Sequence, residues 1–190
     1  MTVFGPVDEA GWLRGVARRE SPYCDQRPAG VQVELLVIHS ISLPPGVFGS
    51  GDVARLFTGQ LDSTAHPFYA SLGGLRVSAH FLIERDGAVT QFVSCDRRAW
   101  HAGVSTFEGR PACNDFSVGV ELEGCDFVPF TDAQYEVLGQ LLIALRARYP
   151  LRAVRGHSHI APGRKTDPGP LFDWHRLRTY CPPTMLPPAN

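Results

Sequence analysis

Residues 33–38 read VELLVI, an almost unbroken apolar run that predicts a strand covered on both faces. In 76–84 the pattern has a period of two. Val77, Ala79, Phe81 and Ile83 share one side and Arg76, Ser78 and His80 the other, which predicts a half-buried strand. Asp86-Gly87 then turns the chain into 88–93, a hairpin signal. Alternation returns in 117–123, with Val118, Val120 and Leu122 on one side and Ser117, Gly119, Glu121 and Glu123 on the other. Thr131-Asp132-Ala133-Gln134 is a capping box, and it opens a helix striped by Tyr135, Leu138, Leu141, Leu142 and Leu145. Arg146 and Arg148 complement the C-terminal dipole of that helix, and Pro150 ends it. A short strand is expected at 153–156, a short helix at 51–58 and a final helix at 171–180. Strands interspersed with helices predict a mixed α/β fold, a central mixed β-sheet flanked by α-helices. The expected organisation is a single domain over 1–190, with its core at about 8–180 and a loose tail at 182–190.

Composition narrows the function. At 190 residues, 44% apolar and 19% charged, the chain has globular values that exclude wholesale disorder. The 19 Gly and 16 Pro imply many loops between a modest set of regular elements. A net charge of −1 supplies no basic field, so no nucleic-acid partner is expected. No apolar run approaches the ~18 residues of a membrane span, and 1–22 has no continuous apolar stretch of the kind a secretory signal needs. Five cysteines without a CxxC spacing fit a reducing compartment, each as a small buried hydrophobe. A soluble, cytoplasmic protein with no membrane partner is therefore expected. Arginines number 17 against one lysine, Lys165, which makes the setting of that lysine worth reading.

Seven histidines carry no HExxH or zinc-finger spacing, so position must discriminate among them. His39 follows the strand at 33–38, and the C-terminal edge of such a strand is a common place for ligands and catalytic groups. His157 follows the strand at 153–156 and opens HSHIAPGRKTDPG, expected to be a loop rather than a regular helix. That segment gathers His157, His159, Lys165 and Asp167 within eleven residues. Two imidazoles and one carboxylate are a normal three-ligand set for catalytic zinc, with a fourth position left for water. Glu121 lies centrally in a strand whose other face is apolar, and a carboxylate there suits a general base. Glu123 shares its face but sits nearer the strand end. His66 and His80 read as structural, His175 as a helix-surface residue and Asp115 as a loop hydrogen-bonding group.

Taken together, VIHSISLPPG, LRVSAHFLIERDG, RAWHAGVS, CNDFSVGVELEG, TDAQY and GHSHIAPGRKTDPGP resemble the zinc-dependent N-acetylmuramoyl-L-alanine amidases. The resemblance runs from about residue 8 to residue 180. It is strongest to the cytoplasmic 1,6-anhydro-N-acetylmuramyl-L-alanine amidases of Gram-negative bacteria, with peptidoglycan-recognition domains as wider relatives. It implies one Zn2+ per chain, held by His39, His157 and Asp167, with Glu121 and Lys165 as the catalytic pair. It also implies a cleft wall built from Trp100, His101 and Asn114, and an arginine, Arg76, that meets the carboxylate of the stem peptide. The implied reaction is hydrolysis of the amide between the lactyl group of anhydro-muramic acid and L-alanine, in peptidoglycan recycling. In many species accumulation of such substrates induces a chromosomal β-lactamase. The partner implied is a small-molecule muropeptide, bound by a monomer, with Trp100, Phe107 and Phe116 available to pack on its sugar. Ser40 stands where the family usually has Asn, and His159 where members carry Asn or Asp. Two alternatives are a non-catalytic peptidoglycan-binding module and an envelope amidase acting on intact peptidoglycan. The intact ligand set argues against the first, and the lack of a visible signal peptide or lipobox against the second.

Overall fold

In a computed structural model, which describes residues 4–188, the strands are β1 Ala17–Arg18, β2 Cys24–Gln26, β3 Leu35–Ile41, β4 Phe81–Ile83, β5 Val89–Gln91, β6 Arg97–Ala99, β7 Thr106–Phe107, β8 Arg110–Pro111, β9 Ser117–Glu123 and β10 Ala153–Gly156. The helices are α1 Asp52–Phe57, α2 Pro67–Ser71, α3 Asp132–Arg148 and α4 His157–Ile160. Six strands form one sheet in the order β1-β5-β4-β9-β3-β10. Its central pairs, β4 with β9, β9 with β3 and β3 with β10, are parallel, while β4 and β5 form the antiparallel hairpin turned by Asp86-Gly87. The sheet is therefore mixed, as its sequence pattern predicts. Two small ribbons, β2 with β6 and β7 with β8, lie outside it.

The period of two decides what each face of the sheet meets. Leu36 and Ile38 of β3, with Val118, Val120 and Leu122 of β9, join the core that holds Leu138, Leu141 and Leu142 of α3. Their alternates Leu35 and Val37 enter a separate core with Phe107, Phe116 and Ile160 on the opposite face. A third core gathers Leu82, Phe92, Phe57 and Tyr69 beneath α1 and α2. By the same alternation His39 and Glu121 belong to the face away from α3. α3 starts where its capping box predicts: Thr131 Oγ1 accepts the Gln134 N–H and Gln134 Oε1 accepts the Thr131 N–H, both at 3.1 Å. Full burial of a leucine such as Leu138 contributes ~1.5–3 kcal/mol, so this stripe anchors the helix.

Four elements differ from their sequence patterns. Of 76–84, only Phe81–Ile83 joins the ladder. Ser78 and His80 are not solvent-facing but buried, and the extended backbone leading to β4 splits its bonds between neighbours. The Ser78 N–H donates to the Trp100 carbonyl and the His80 N–H to that of Gly119. The segment from His157 begins with a helical turn rather than a loop, closed by the Ala161 N–H on the His157 carbonyl and stopped by Pro162-Gly163. The expected helix at 171–180 is a 3-10 turn, Trp174–Thr179, because Phe172 and Trp174 fold into an aromatic cluster with Phe130 and Tyr135. The expected loose tail instead seats Met185 and Leu186 in the main core, and the Arg155 guanidinium donates to the Met185 carbonyl at 2.7 Å. Residues 189 and 190 lie outside the described residues. All five cysteines are free, three of them buried. No helix among the described residues is long and apolar enough to cross a membrane.

Candidate metal centre

β3 and β10 are parallel neighbours, and Ile38 is in register with Gly156. The next residue on each strand is a histidine, so His39 and His157 emerge side by side at one edge of the sheet. The loop after α4 returns to the same point, where the Asp167 carbonyl accepts the Ser158 N–H at 2.9 Å. Its close approach needs a glycine: a Cβ on Gly156 would lie 2.6 Å from Pro168 Cδ. His39 Nδ1 is 3.0 Å from His157 Nδ1, and both face Asp167 Oδ2, at 2.9 and 3.1 Å respectively. A tetrahedral zinc site with Zn–N and Zn–O bonds of ~2.0–2.1 Å has edges of ~3.3–3.4 Å, so these donors need shift by only a few tenths of an ångström to hold the ion. The proton positions agree with that role. His157 Nε2 faces the Ala102 carbonyl at 3.0 Å, and a carbonyl only accepts, so Nε2 carries the hydrogen and Nδ1 keeps its lone pair. The residues present fit a zinc ion on chemistry and on spacing.

The three donor residues line a cleft of about 330 Å³. Glu121 lines it too, and so does Lys165, which is exposed at its mouth. Apolar wall comes from Leu43, Phe57, Phe68, Leu75, Val77 and Trp100. Glu121 is 8% exposed, and its Oε2 is buried with no hydrogen-bond partner. Burial drives its carboxyl well above the usual carboxylate range; the charge of Asp167 adds to that and Lys165 opposes it. Burial would also raise the Asp167 carboxyl, but its contacts with the His157 and His39 rings outweigh it and hold the group well below its ordinary value. His39 and His101 are both held below the usual imidazole value by burial.

The other candidate residues divide between the cleft and its surroundings. His101 lines the cleft, but both its ring nitrogens are engaged inward, with His39 Nε2 at 2.9 Å and Ser117 Oγ at 3.2 Å. Asn114 is not among the residues lining the cleft; its side-chain oxygen accepts the N–H groups of His101 and Ala102. Arg76 is exposed on a neighbouring cavity of about 340 Å³ that shares Leu56, Leu72 and Leu75 with the cleft. Phe107 and Phe116 are buried in the core under the sheet, and neither lines the cleft. His159 turns from the triad: its Nδ1 accepts the Gly156 N–H at 3.0 Å and its ring packs edge-on against Trp174. Ser40 lines the cleft beside His39. Glu123 accepts the backbone N–H groups of Gly49 and Arg85, and Asp115 pairs with Arg98. His80 and His66 are structural, accepting the N–H of Gly119 and of Phe68.

Residues 29–170 match the N-acetylmuramoyl-L-alanine amidase family. The chain belongs to that family. It is 54% identical over 180 residues to the 1,6-anhydro-N-acetylmuramyl-L-alanine amidase AmpD of Citrobacter freundii, covering 94% of this chain and 96% of that protein. The fold superposes on a crystal structure of a selenomethionine AmpD derivative with a TM-score of 0.88 at 53% identity, over 90% of this chain and 97% of that one. A more distant match is the Escherichia coli amidase AmiD, solved with anhydro-N-acetylmuramic acid-L-Ala-D-γ-Glu-L-Lys, with a TM-score of 0.59 and 30% identity over 93% of this chain and 65% of that one. The amidase fold also explains a residue that sequence patterning passes over. Arg27, mostly buried, donates to the carbonyls of Cys95, Asn114, Asp115 and Ser117 and so ties the loop at Cys95 to the Cys113–Asp115 turn and the start of β9. Burial pulls its guanidinium down to about 10. No local pattern marks it, because its partners lie 68 to 90 residues away.

Proposed function

We propose that this amidase hydrolyses the amide between the lactyl group of 1,6-anhydro-N-acetylmuramic acid and L-alanine in cell-wall turnover fragments, as a monomer in the cytoplasm. The observation that carries the reading is Glu121, whose Oε2 is buried with no hydrogen-bond partner, on a residue that lines the cleft together with the convergent His39–His157–Asp167 set. An unpaired buried polar atom costs ~1–3 kcal/mol, and a native fold tolerates it where a function needs it. His39, His157 and Asp167 would hold the zinc ion. When bound there, zinc supplies Lewis-acid polarisation of the amide carbonyl and acidifies water.

The chain's own residues do the rest. Glu121 takes the proton from the attacking water as the C–O bond forms. Its raised affinity for a proton suits it to hold that proton and then give it to the alanine nitrogen as the C–N bond breaks. The Lys165 ammonium, a compact charge at the cleft mouth, meets the oxygen on which negative charge develops. Trp100 and the apolar wall exclude water from the sugar side.

The test is an assay on anhydro-muramyl-tripeptide with elemental analysis of the same preparation. Stripping the metal with a chelator should abolish release of the tripeptide, and one equivalent of zinc should restore it. Full turnover in a preparation shown to be metal-free would sink the reading.

A further inference from the structure

His39 and His157 have their second ring nitrogens in the hands of two consecutive residues. With Nδ1 of each turned to Asp167, His39 Nε2–H donates to His101 Nδ1 at 2.9 Å and His157 Nε2–H to the Ala102 carbonyl at 3.0 Å. His101 completes the chain by donating from Nε2 to Ser117 Oγ at 3.2 Å. Its ring lies over Gly119, where any Cβ would collide with it. The 101–102 backbone is in turn fixed by one side chain: Asn114 Oδ1 accepts the N–H of His101 at 3.1 Å and of Ala102 at 2.8 Å. Asn114 sits on the one-turn 3-10 segment Cys113–Asp115, whose Asn114 carbonyl accepts from Arg27 at 3.0 Å.

We propose that Asn114 and His101 are positioning residues of the metal centre, Asn114 holding the 101–102 backbone and that backbone with the His101 ring orienting both imidazole ligands. The inference rests on the reading of His39, His157 and Asp167 as metal ligands. Its physical basis is that a ligating imidazole can rotate about its side-chain bonds. A hydrogen bond to the non-ligating nitrogen fixes both ring orientation and tautomer, and its loss typically costs 10–100-fold in metal affinity. Here two such bonds converge on one dipeptide, so a single amide oxygen, contributed from outside the cleft, acts on two ligands at once. Ala102 supplies only its backbone, so no substitution at 102 can report the effect; Asn114 and His101 can.

The experiment measures zinc affinity by competition with a chromogenic chelator, the visible spectrum of the cobalt(II)-substituted protein, and the melting temperature of the metal-free protein. Asn114→Ala should weaken zinc binding 10–100-fold and alter the cobalt spectrum, while Asn114→Asp, which keeps an acceptor oxygen, should bind zinc within a few fold of wild type. His101→Ala should weaken zinc likewise, and His101→Asn, whose amide oxygen stands near the Nδ1 position, should recover most of the loss. Wild-type zinc affinity and an unchanged cobalt spectrum in both alanine variants overturn the proposal. So does a loss that tracks the metal-free melting temperature and is rescued by neither Asp nor Asn, since that makes the residues props of the fold alone. If Asn114→Ala does not fold, the His101 pair decides by the same criterion. Failure of the wild-type protein itself to bind zinc removes the metal reading, a result distinct from any of these.

Discussion

His39 on β3 and Glu121 on β9 are register partners in neighbouring parallel strands. Both are buried and both point away from α3. The carboxylate is therefore set beside the metal-ligand candidate by a seven-residue ladder rather than by a loop. A slip of one residue would turn Glu121 into the apolar core under α3 and expose Val120 to the cleft, so the hydrophobic pattern that fixes the fold also fixes the placing of the carboxylate beside His39.

It follows that Glu121→Gln should fold and keep its zinc. The amide has the size of the carboxyl and removes a charge that burial already disfavours, so the melting temperature should not fall. The rate should drop ~100–10,000-fold, the usual worth of a general base. Loss of zinc with retention of fold would make Glu121 a ligand and displace Asp167 from the set.

Lys165 is exposed at the cleft mouth, so its removal should cost almost nothing in stability. Lys165→Ala should lower kcat ~100–1,000-fold with zinc content unchanged, as expected for a donor that acts on developing charge. Lys165→Arg should recover little, because the guanidinium is broad and planar where a point charge is used. Full recovery by arginine would show that any cation at the mouth suffices.

How much of this was legible in the sequence depended on whether the signal was local. Alternation in 117–123 gave β9 its bounds and the face of Glu121, and the Thr131–Gln134 box gave the start of α3. The convergence of His39, His157 and Asp167 was carried by resemblance, since no spacing rule brings residue 39 to residue 157. Strands of two or three residues, such as β1, β7 and β8, hold too few positions to show a period. His101 and Asn114 sit in motif segments; His101 does line the cleft, but its pattern does not show that both ring nitrogens turn inward over Gly119, and reading Asn114 as cleft wall missed that its oxygen turns to the N–H groups of His101 and Ala102. The 3-10 turn at Trp174–Thr179 was hidden because its course is set by packing on Phe130 and Tyr135, more than thirty residues away in the chain.

His159 is the second imidazole of the HSH run, and its geometry separates it from the metal. His159→Asn should leave zinc stoichiometry and rate nearly unchanged. What it should touch is stability: the asparagine oxygen, near the Nδ1 position, keeps the Gly156 N–H bond, but loss of the edge-on Trp174 contact amounts to ~1 kcal/mol, or a melting temperature lower by ~2–4 °C. A large fall in zinc affinity would instead assign the metal to the neighbouring ring.

Acid stability should depend on His80, which has no solvent exposure and is pushed by burial, then by the Arg27 charge, from 6.5 down to about 3. A depressed folded value means that the unfolded chain binds a proton the native state refuses. The contribution is thus intact above pH 6.5 and is lost as pH falls from 6.5 toward 3. Each such histidine adds ~1.4 kcal/mol per pH unit to the slope in that window. Denaturant midpoints measured in this range should fall less steeply for His80→Asn, whose side-chain oxygen stands near the acceptor position but cannot take up the proton. An unchanged slope would mean that His80 already carries its proton in the native state.

The last prediction concerns the sugar. With Phe107 and Phe116 placed under the sheet, shape recognition falls to the wall built from Leu43, Phe57, Phe68, Val77 and Trp100. Trp100 is only partly buried, and its ring stacks at 6.3 Å on Tyr23, which leaves a face available to the cleft. A compact anhydro bicycle offers such a wall more apolar surface and fewer hydroxyls than its hydrated form. Apolar pocket selection is bounded, since one group is worth ~1–3 kcal/mol, or about 10–200-fold. The ratio of kcat/KM between anhydro-muramyl-tripeptide and the matched muramyl-tripeptide should therefore favour the anhydro sugar by a factor within that range. Trp100→Ala should compress it, mainly through the anhydro substrate. Identical stem peptides in the two substrates make any contact from Arg76 cancel. Equal kcat/KM for the two sugars, or faster release of peptide from insoluble sacculi, would assign the protein to intact peptidoglycan. Binding of both sugars without turnover in a zinc-loaded preparation would make it a recognition module.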